Sequence, residues 1–157
     1  YDVGDCSYQH HHGHSNIFRN NIFADARVNY IRRLREDEKQ SFWMDRNIFW
    51  ITGGRVLNGT WSNGFYKFTK NIYWITRGAY PLQFVDYTHR WIGEWQEMGH
   101  DKEGLFANPL FKDPENGNFN MPEDSPAIKA GFKPIILENV GPIGIYKNVS
   151  KGYAIDK

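Results

Sequence analysis

The stretch Asn47-Ile48-Phe49-Trp50-Ile51-Thr52-Gly53-Gly54 decides how the chain is read, because it returns as Asn71-Ile72-Tyr73-Trp74-Ile75-Thr76-Arg77-Gly78, six of eight positions identical at an offset of 24. The same offset sets Phe42 against Tyr66, Trp43 against Lys67 and Met44 against Phe68. Side chains on a strand alternate between two faces. Phe42/Tyr66 and Met44/Phe68 are therefore expected to stack on one face, with Trp43 and Lys67 on the other. A weaker copy, Phe18-Arg19-Asn20-Asn21-Ile22-Phe23, lies 26 residues before the first. Three related segments at nearly constant spacing point to a repeat architecture in which each copy is one coil.

The windows are built from Ile, Phe, Tyr, Trp and Thr, which favour strands over the helices of leucine-rich, ankyrin or tetratricopeptide repeats. The expected fold class is all-β, a parallel β-helix with coils spaced by about 4.8 Å and each residue above its counterpart in the next coil. Asn21, Asn47 and Asn71 then have two readings. They form a ladder of amides along the axis at a bend, or they are turn residues chosen for tolerating unusual backbone angles.

Composition bounds the rest. A 157-residue chain that is 40% hydrophobic has material for a core. Aromatics reach 17%, high enough that rings on an open face become candidates for stacking on a ligand, although most belong to the core. A net charge of +1 argues against a nucleic-acid groove, and no apolar run is long enough to cross a membrane. One cysteine, Cys6, excludes an internal disulfide. Tyr1-Asp2-Val3 reads as the middle of a strand, and the first coil of a β-helix needs a cover. Residues 1–157 are accordingly expected to be the C-terminal coils and cap of one β-helix domain, with the remaining N-terminal part of the same protein as its first partner.

The chemically richest stretch is residues 1–14, YDVGDCSYQHHHGH. In a strand His10, His12 and His14 share one face and His11 the other. The cluster reads as a metal site, as acid/base groups facing a substrate, or as polar groups satisfied within the wall; no zinc spacing is present, and the reading carried forward assigns no metal and no cofactor. The run Arg32-Arg33-Leu34-Arg35-Glu36-Asp37-Glu38-Lys39 reads as a solvated loop or as the wall of a cleft in which Arg33 and Arg35 grip a substrate and Glu36 or Asp37 moves a proton. Trp61, in the turn-rich Asn58-Gly59-Thr60-Trp61-Ser62-Asn63-Gly64, is the candidate sugar-stacking ring. Trp91, Trp95 and Met98 fall at helical spacing and Gly99 can close the turn, so a short packing helix is expected over 88–99. It accounts for the long step to the next strand-like segment, Ala107-Asn108-Pro109-Leu110-Phe111. Asp113-Pro114-Glu115-Asn116-Gly117 reads as a turn without a calcium-loop pattern. From Ser125 onward Ile and Phe residues are expected to lie across the last coil as a cap.

Taken together, HHHG (10–13), NIFRNNIFADA (16–26), SFWMDRNIFW (41–50), GTWSNGFYKFTKNIYW (59–74), FANPLFKDPENGNFNMPEDSPAIKAGFKP (106–134) and VGP (140–142) resemble the C-terminal part of bacterial right-handed parallel β-helix proteins. The chain is similar in particular to β-helical glycoside hydrolases of the family 141 kind. The resemblance implies a right-handed helix and a secreted or periplasmic protein acting on plant cell-wall or other complex polysaccharides. Where such relatives carry His-Gln-His-Tyr-Gly, this chain has Gln9-His10-His11-His12-Gly13.

The leading expectation is glycoside hydrolysis on the flank of the stack, which needs two carboxyl groups across the scissile bond. Asp5 and Glu36 are the expected pair, with Asp2 and Asp37 as alternates and His11 as proton relay or hydroxyl partner; His10, His12, Arg33, Arg35 and Trp61 are expected to bind the polysaccharide or oligosaccharide. The alternatives are a polysaccharide lyase, with Arg33 and Arg35 neutralising a uronate carboxylate, and a noncatalytic glycan-binding solenoid.

Overall fold

The computed structural model describes residues 2–76 and 92–136. Nine strands follow one another in three groups of three: β1 (Cys6–His10), β2 (Asn16–Arg19) and β3 (Ile22–Ala24); β4 (Asn29–Arg33), β5 (Phe42–Asp45) and β6 (Ile48–Ile51); β7 (Arg55–Gly59), β8 (Lys67–Thr69) and β9 (Ile72–Ile75). Helix α1 (Ile92–Glu97), strand β10 (Leu105–Phe106), a 3-10 turn (Pro114–Asn116) and helix α2 (Pro126–Lys129) complete the described elements. The strands form three parallel sheets, ordered β1-β4-β7, β2-β5-β8 and β3-β6-β9-β10, so each of β1 to β6 pairs with the strand three places on.

The register bears out the repeat. Ile48 pairs with Ile72 and Phe49 with Tyr73; Trp43 pairs with Lys67 and Met44 with Phe68. Met44 and Phe68 are buried, whereas Lys67 Nζ lies over the Trp43 ring at 4.6 Å on the other face. All three sheets feed one core: Tyr30, Ile31, Val56 and Leu57 from the first, Phe42, Met44 and Phe68 from the second, Phe49, Ile51 and Tyr73 from the third. Phe23, Phe49 and Tyr73 stack face to face at centroid distances of 5.1 Å. Such aromatic columns add to the burial of apolar area that drives the fold.

The bend between the second and third sheets shows why the asparagines recur. At each step the residue before the asparagine takes the left-handed conformation, with φ of 60° at Asn20, 50° at Arg46 and 57° at Lys70. The strained turn position is thus the neighbour, and the asparagine is the ladder. Asn47 Oδ1 accepts from the Asn21 backbone and side-chain amides at 3.0 and 3.1 Å, and Asn71 Oδ1 accepts from those of Asn47 at 2.9 and 3.0 Å. The second amide protons go to the Phe18 and Met44 carbonyls. Asn71 in turn donates to Asp101, a buried residue that sequence reasoning passed over.

Helix α1 is described from Ile92 to Glu97; residues 88–91, Trp91 among them, lie outside the described residues. Its role is packing: Trp95 is fully buried, stacks parallel to Tyr66 at 5.8 Å and against His100 at 4.1 Å, and closes the interior above Phe68. Gly99, at φ 99°, terminates the turn with its N–H on the Gln96 carbonyl. The following strand is Leu105–Phe106 rather than 107–111, where Pro109 and a left-handed Leu110 interrupt any ladder. Of the tail expected to cap the last coil from Ser125 onward, the described part lies beside the third sheet. Phe111, Ala127 and Phe132 pack on Ile48 and Ile72, the outward face of the third sheet, and the Lys133 backbone exchanges hydrogen bonds with the Asn20 side chain. The tail therefore runs back along the side of the sheet, because its outward face carries Ile22, Ile48 and Ile72 and has to be covered. Residues 137–157, including the closing VGP, lie outside the described residues.

Candidate functional site

The loop joining β4 to β5 is built around a buried cation. Asn29, Ile31 and Arg33 alternate with the strand period, so Arg33 points inward with Ile31, and its side chain is fully buried. The guanidinium is satisfied by the Ser41 hydroxyl at 2.9 and 3.1 Å, the Thr60 carbonyl at 3.1 Å and Asn63 Oδ1 at 3.0 Å. It lies 5.9 Å from the Trp61 ring centroid and 5.5 Å from that of Tyr66. Gly59, in register with Arg33, sits at φ 97°, and a Cβ there would fall 2.1 Å from the Arg33 carbonyl oxygen. Only glycine lets the two rungs close. Arg33 is therefore a structural anchor and does not reach a substrate as expected.

Glu36 fixes the loop from above. Its carboxylate accepts from the Ser62 hydroxyl at 2.7 Å, the Asn63 amide at 3.2 Å and the Ser62 amide, and stands 3.5 Å from Arg33 Nη1. Burial would raise its pKa, but these donors and the guanidinium outweigh it and hold the carboxyl below its usual range. Trp61 is only 6% exposed; its ring packs against Phe42, Tyr66 and Phe68 and its Nε1 donates to the Asn58 carbonyl. The sugar-stacking role expected of it does not fit a ring enclosed in the core.

The loop so anchored holds Asp37 beside two histidines. β1 ends at His10, so the alternation expected to bring His10, His12 and His14 onto one face stops there. His10 is buried, 1% exposed, with Nδ1 3.2 Å from the Tyr8 hydroxyl and Nε2 3.5 Å from Asp37 Oδ2. Burial lowers its pKa, Asp37 opposes that shift, and the net direction is down. His12 is exposed, its Nδ1 4.0 Å from Asp37 Oδ1, and the His11 ring packs edge-on against it at 4.7 Å. The Asp37 side chain, 30% exposed, thus stands between a buried imidazole and a solvent-facing one. Arg35 is exposed on the same loop.

The structure does not bring together the expected carboxylate pair. Asp5 precedes β1 and Glu36 follows β4, at opposite ends of strands that pair in register, a separation of about 16 Å along five residues. Arg32 holds Asp5 with both Nη atoms, at 2.8 and 3.0 Å, and reaches Gln9 at 3.3 Å. Asp2 pairs with Arg27 at 3.3 Å on the surface. Among the described residues no group of three or more His, Cys, Asp or Glu side chains is placed to hold a metal, and no helix is long and apolar enough to cross a membrane. Comparison with protein-family models, curated proteins and solved structures gave no match.

Proposed function

We propose that the three sheets are the walls of a right-handed parallel β-helix whose flank hydrolyses a complex glycan, in a protein that meets its substrate after secretion or in the periplasm. The support for the helix is the pairing of each of β1 to β6 with the strand three places on, the shared core and the asparagine ladder. Right-handed crossovers are the rule for parallel strands.

The observation that carries the activity is Asp37, held at 3.5 Å from His10 and 4.0 Å from His12 on a loop pinned by Arg33 and Glu36. Asp37 can give a proton to the leaving glycosidic oxygen and regain one from solvent through His12, while the water that adds to the anomeric carbon loses its proton on the opposite face; at 4.0 Å His12 is too close to Asp37 to be the base across the scissile bond. The full protein, screened against plant and microbial glycans, should release reducing ends without near-ultraviolet absorbance. Products absorbing in the near ultraviolet would instead mark a lyase, which leaves a double bond.

A second reading, glycan binding without cleavage, is favoured by one observation. The two carboxylates expected to act as a pair are each tied into structural contacts, Asp5 by Arg32 and Glu36 by Ser62 and Asn63. It predicts affinity for a glycan with no product.

A further inference from the structure

A cleft lies between the bend that follows the third sheet and the returning tail. Asp25, Thr52 and Thr76 are the first residues past β3, β6 and β9, and so line up along successive rungs. Facing them are Pro114 and Glu115 of the 3-10 turn and Phe119; with Ala24 and Trp50 they enclose about 250 Å³. The walls are fixed. The Thr52 hydroxyl donates to Asp25 Oδ1 at 2.6 Å, and Phe111 packs on both aromatic walls, 5.2 Å from Trp50 and edge-on to Phe119 at 5.1 Å.

We propose that this cleft binds one uncharged pyranose unit. Carboxylates make strong hydrogen bonds to hydroxyl donors, threonine hydroxyls both donate and accept, and an aromatic ring offers a flat apolar surface to the C–H face of a sugar. The volume is just below the usual range of small-molecule sites and suits one ring. Two carboxylates among so few lining groups disfavour a wholly apolar ligand. The inference deepens the glycan reading above and shares with it only the ligand class, for Asp25 lies before β4 and Asp37 after it, and neither lines the other's site.

The test is ligand-observed NMR and tryptophan fluorescence on the full chain with methyl glucopyranoside, methyl xylopyranoside and methyl galactopyranoside, and with cyclohexylamine as a cationic control. At least one glycoside should bind saturably in the millimolar range. Asp25→Asn and Glu115→Gln, both close to isosteric, should each weaken it about tenfold, and Asp37→Asn should leave it unchanged. Absence of glycoside binding, binding indifferent to both cleft variants, loss of binding in Asp37→Asn, or capture of the amine alone would overturn the assignment. Glycoside binding that follows Asp25 and Glu115 in a protein that cleaves no glycan leaves this site standing and removes the proposed hydrolysis.

Discussion

Asn71 Nδ2 donates to Asp101 Oδ2 at 2.8 Å across 30 positions of sequence, so a buried carboxylate takes the place that an asparagine holds at each earlier step of the ladder. The same oxygen accepts from the Tyr73 hydroxyl at 2.7 Å, and Oδ1 from the Asn71 amide at 3.4 Å. Asp101 thereby closes the polar column from the segment between α1 and β10.

Burial raises the Asp101 pKa above its ordinary 3.8, and the donors from Tyr73 and Asn71 offset this only in part. The folded state then holds the proton more tightly than the unfolded chain. Its contribution to stability is complete below the ordinary carboxylate pKa and declines as pH rises through the folded value. Glu36 and Asp45, held below their usual range, act in the opposite sense. The difference between wild type and Asp101→Asn isolates the effect: as pH rises above the ordinary carboxylate value of 3.8 the wild type should lose stability relative to the variant. Urea midpoints that move in parallel would contradict this.

The ladder predicts a gradient of cost. Asn47 is fully buried and engages Asn21, Phe18 and Asn71, so Asn47→Ala strands several polar groups and should cost about 3 kcal/mol. Asn21 is exposed at the end of the column, and Asn21→Ala should cost about 1 kcal/mol or less. Chemical denaturation of the two variants measures the difference; equal losses would remove the ladder as an ordered element.

Trp61 belongs to the core, and its replacement should behave accordingly. Trp61→Ala opens a cavity beside Phe42, Tyr66 and Phe68 and should cost about 3–5 kcal/mol. Trp61→Phe should keep any glycan affinity within twofold. A stable Trp61→Ala protein that has lost glycan binding would restore the stacking role.

Glu36 is read as the clamp on residues 60–63. In Glu36→Gln the Ser62 and Asn63 amides should exchange with solvent at least tenfold faster, because two of their hydrogen bonds go to that carboxylate. Unchanged exchange would show that Arg33 alone holds the loop.

Much of the stack was legible because period-two alternation and a 24-residue offset constrain the same residues twice, which is why Met44 over Phe68 and Trp43 over Lys67 follow from sequence. The asparagine column was legible as one of two readings; the left-handed residues just before each asparagine decide between them. Arg33 was misjudged although the signal was present, since alternation with Ile31 puts it inward, where a paired and stacked guanidinium is tolerated. Asp101 carried no signal, because it joins the column only after α1 breaks the repeat. The separation of Asp5 from Glu36 was hidden for a related reason: strand ends and loop path decide which side of a five-residue strand a carboxylate occupies, and the charge run shows neither.

The most direct test of the account is turnover by Asp37→Asn of whichever glycan the full protein cleaves, measured with affinity for the same glycan. The account predicts a loss of at least about 100-fold in turnover, the scale of a lost general acid, with affinity within twofold of wild type and a folded protein. Undiminished turnover in that variant, or a wild type that binds glycans and cleaves none, would contradict it.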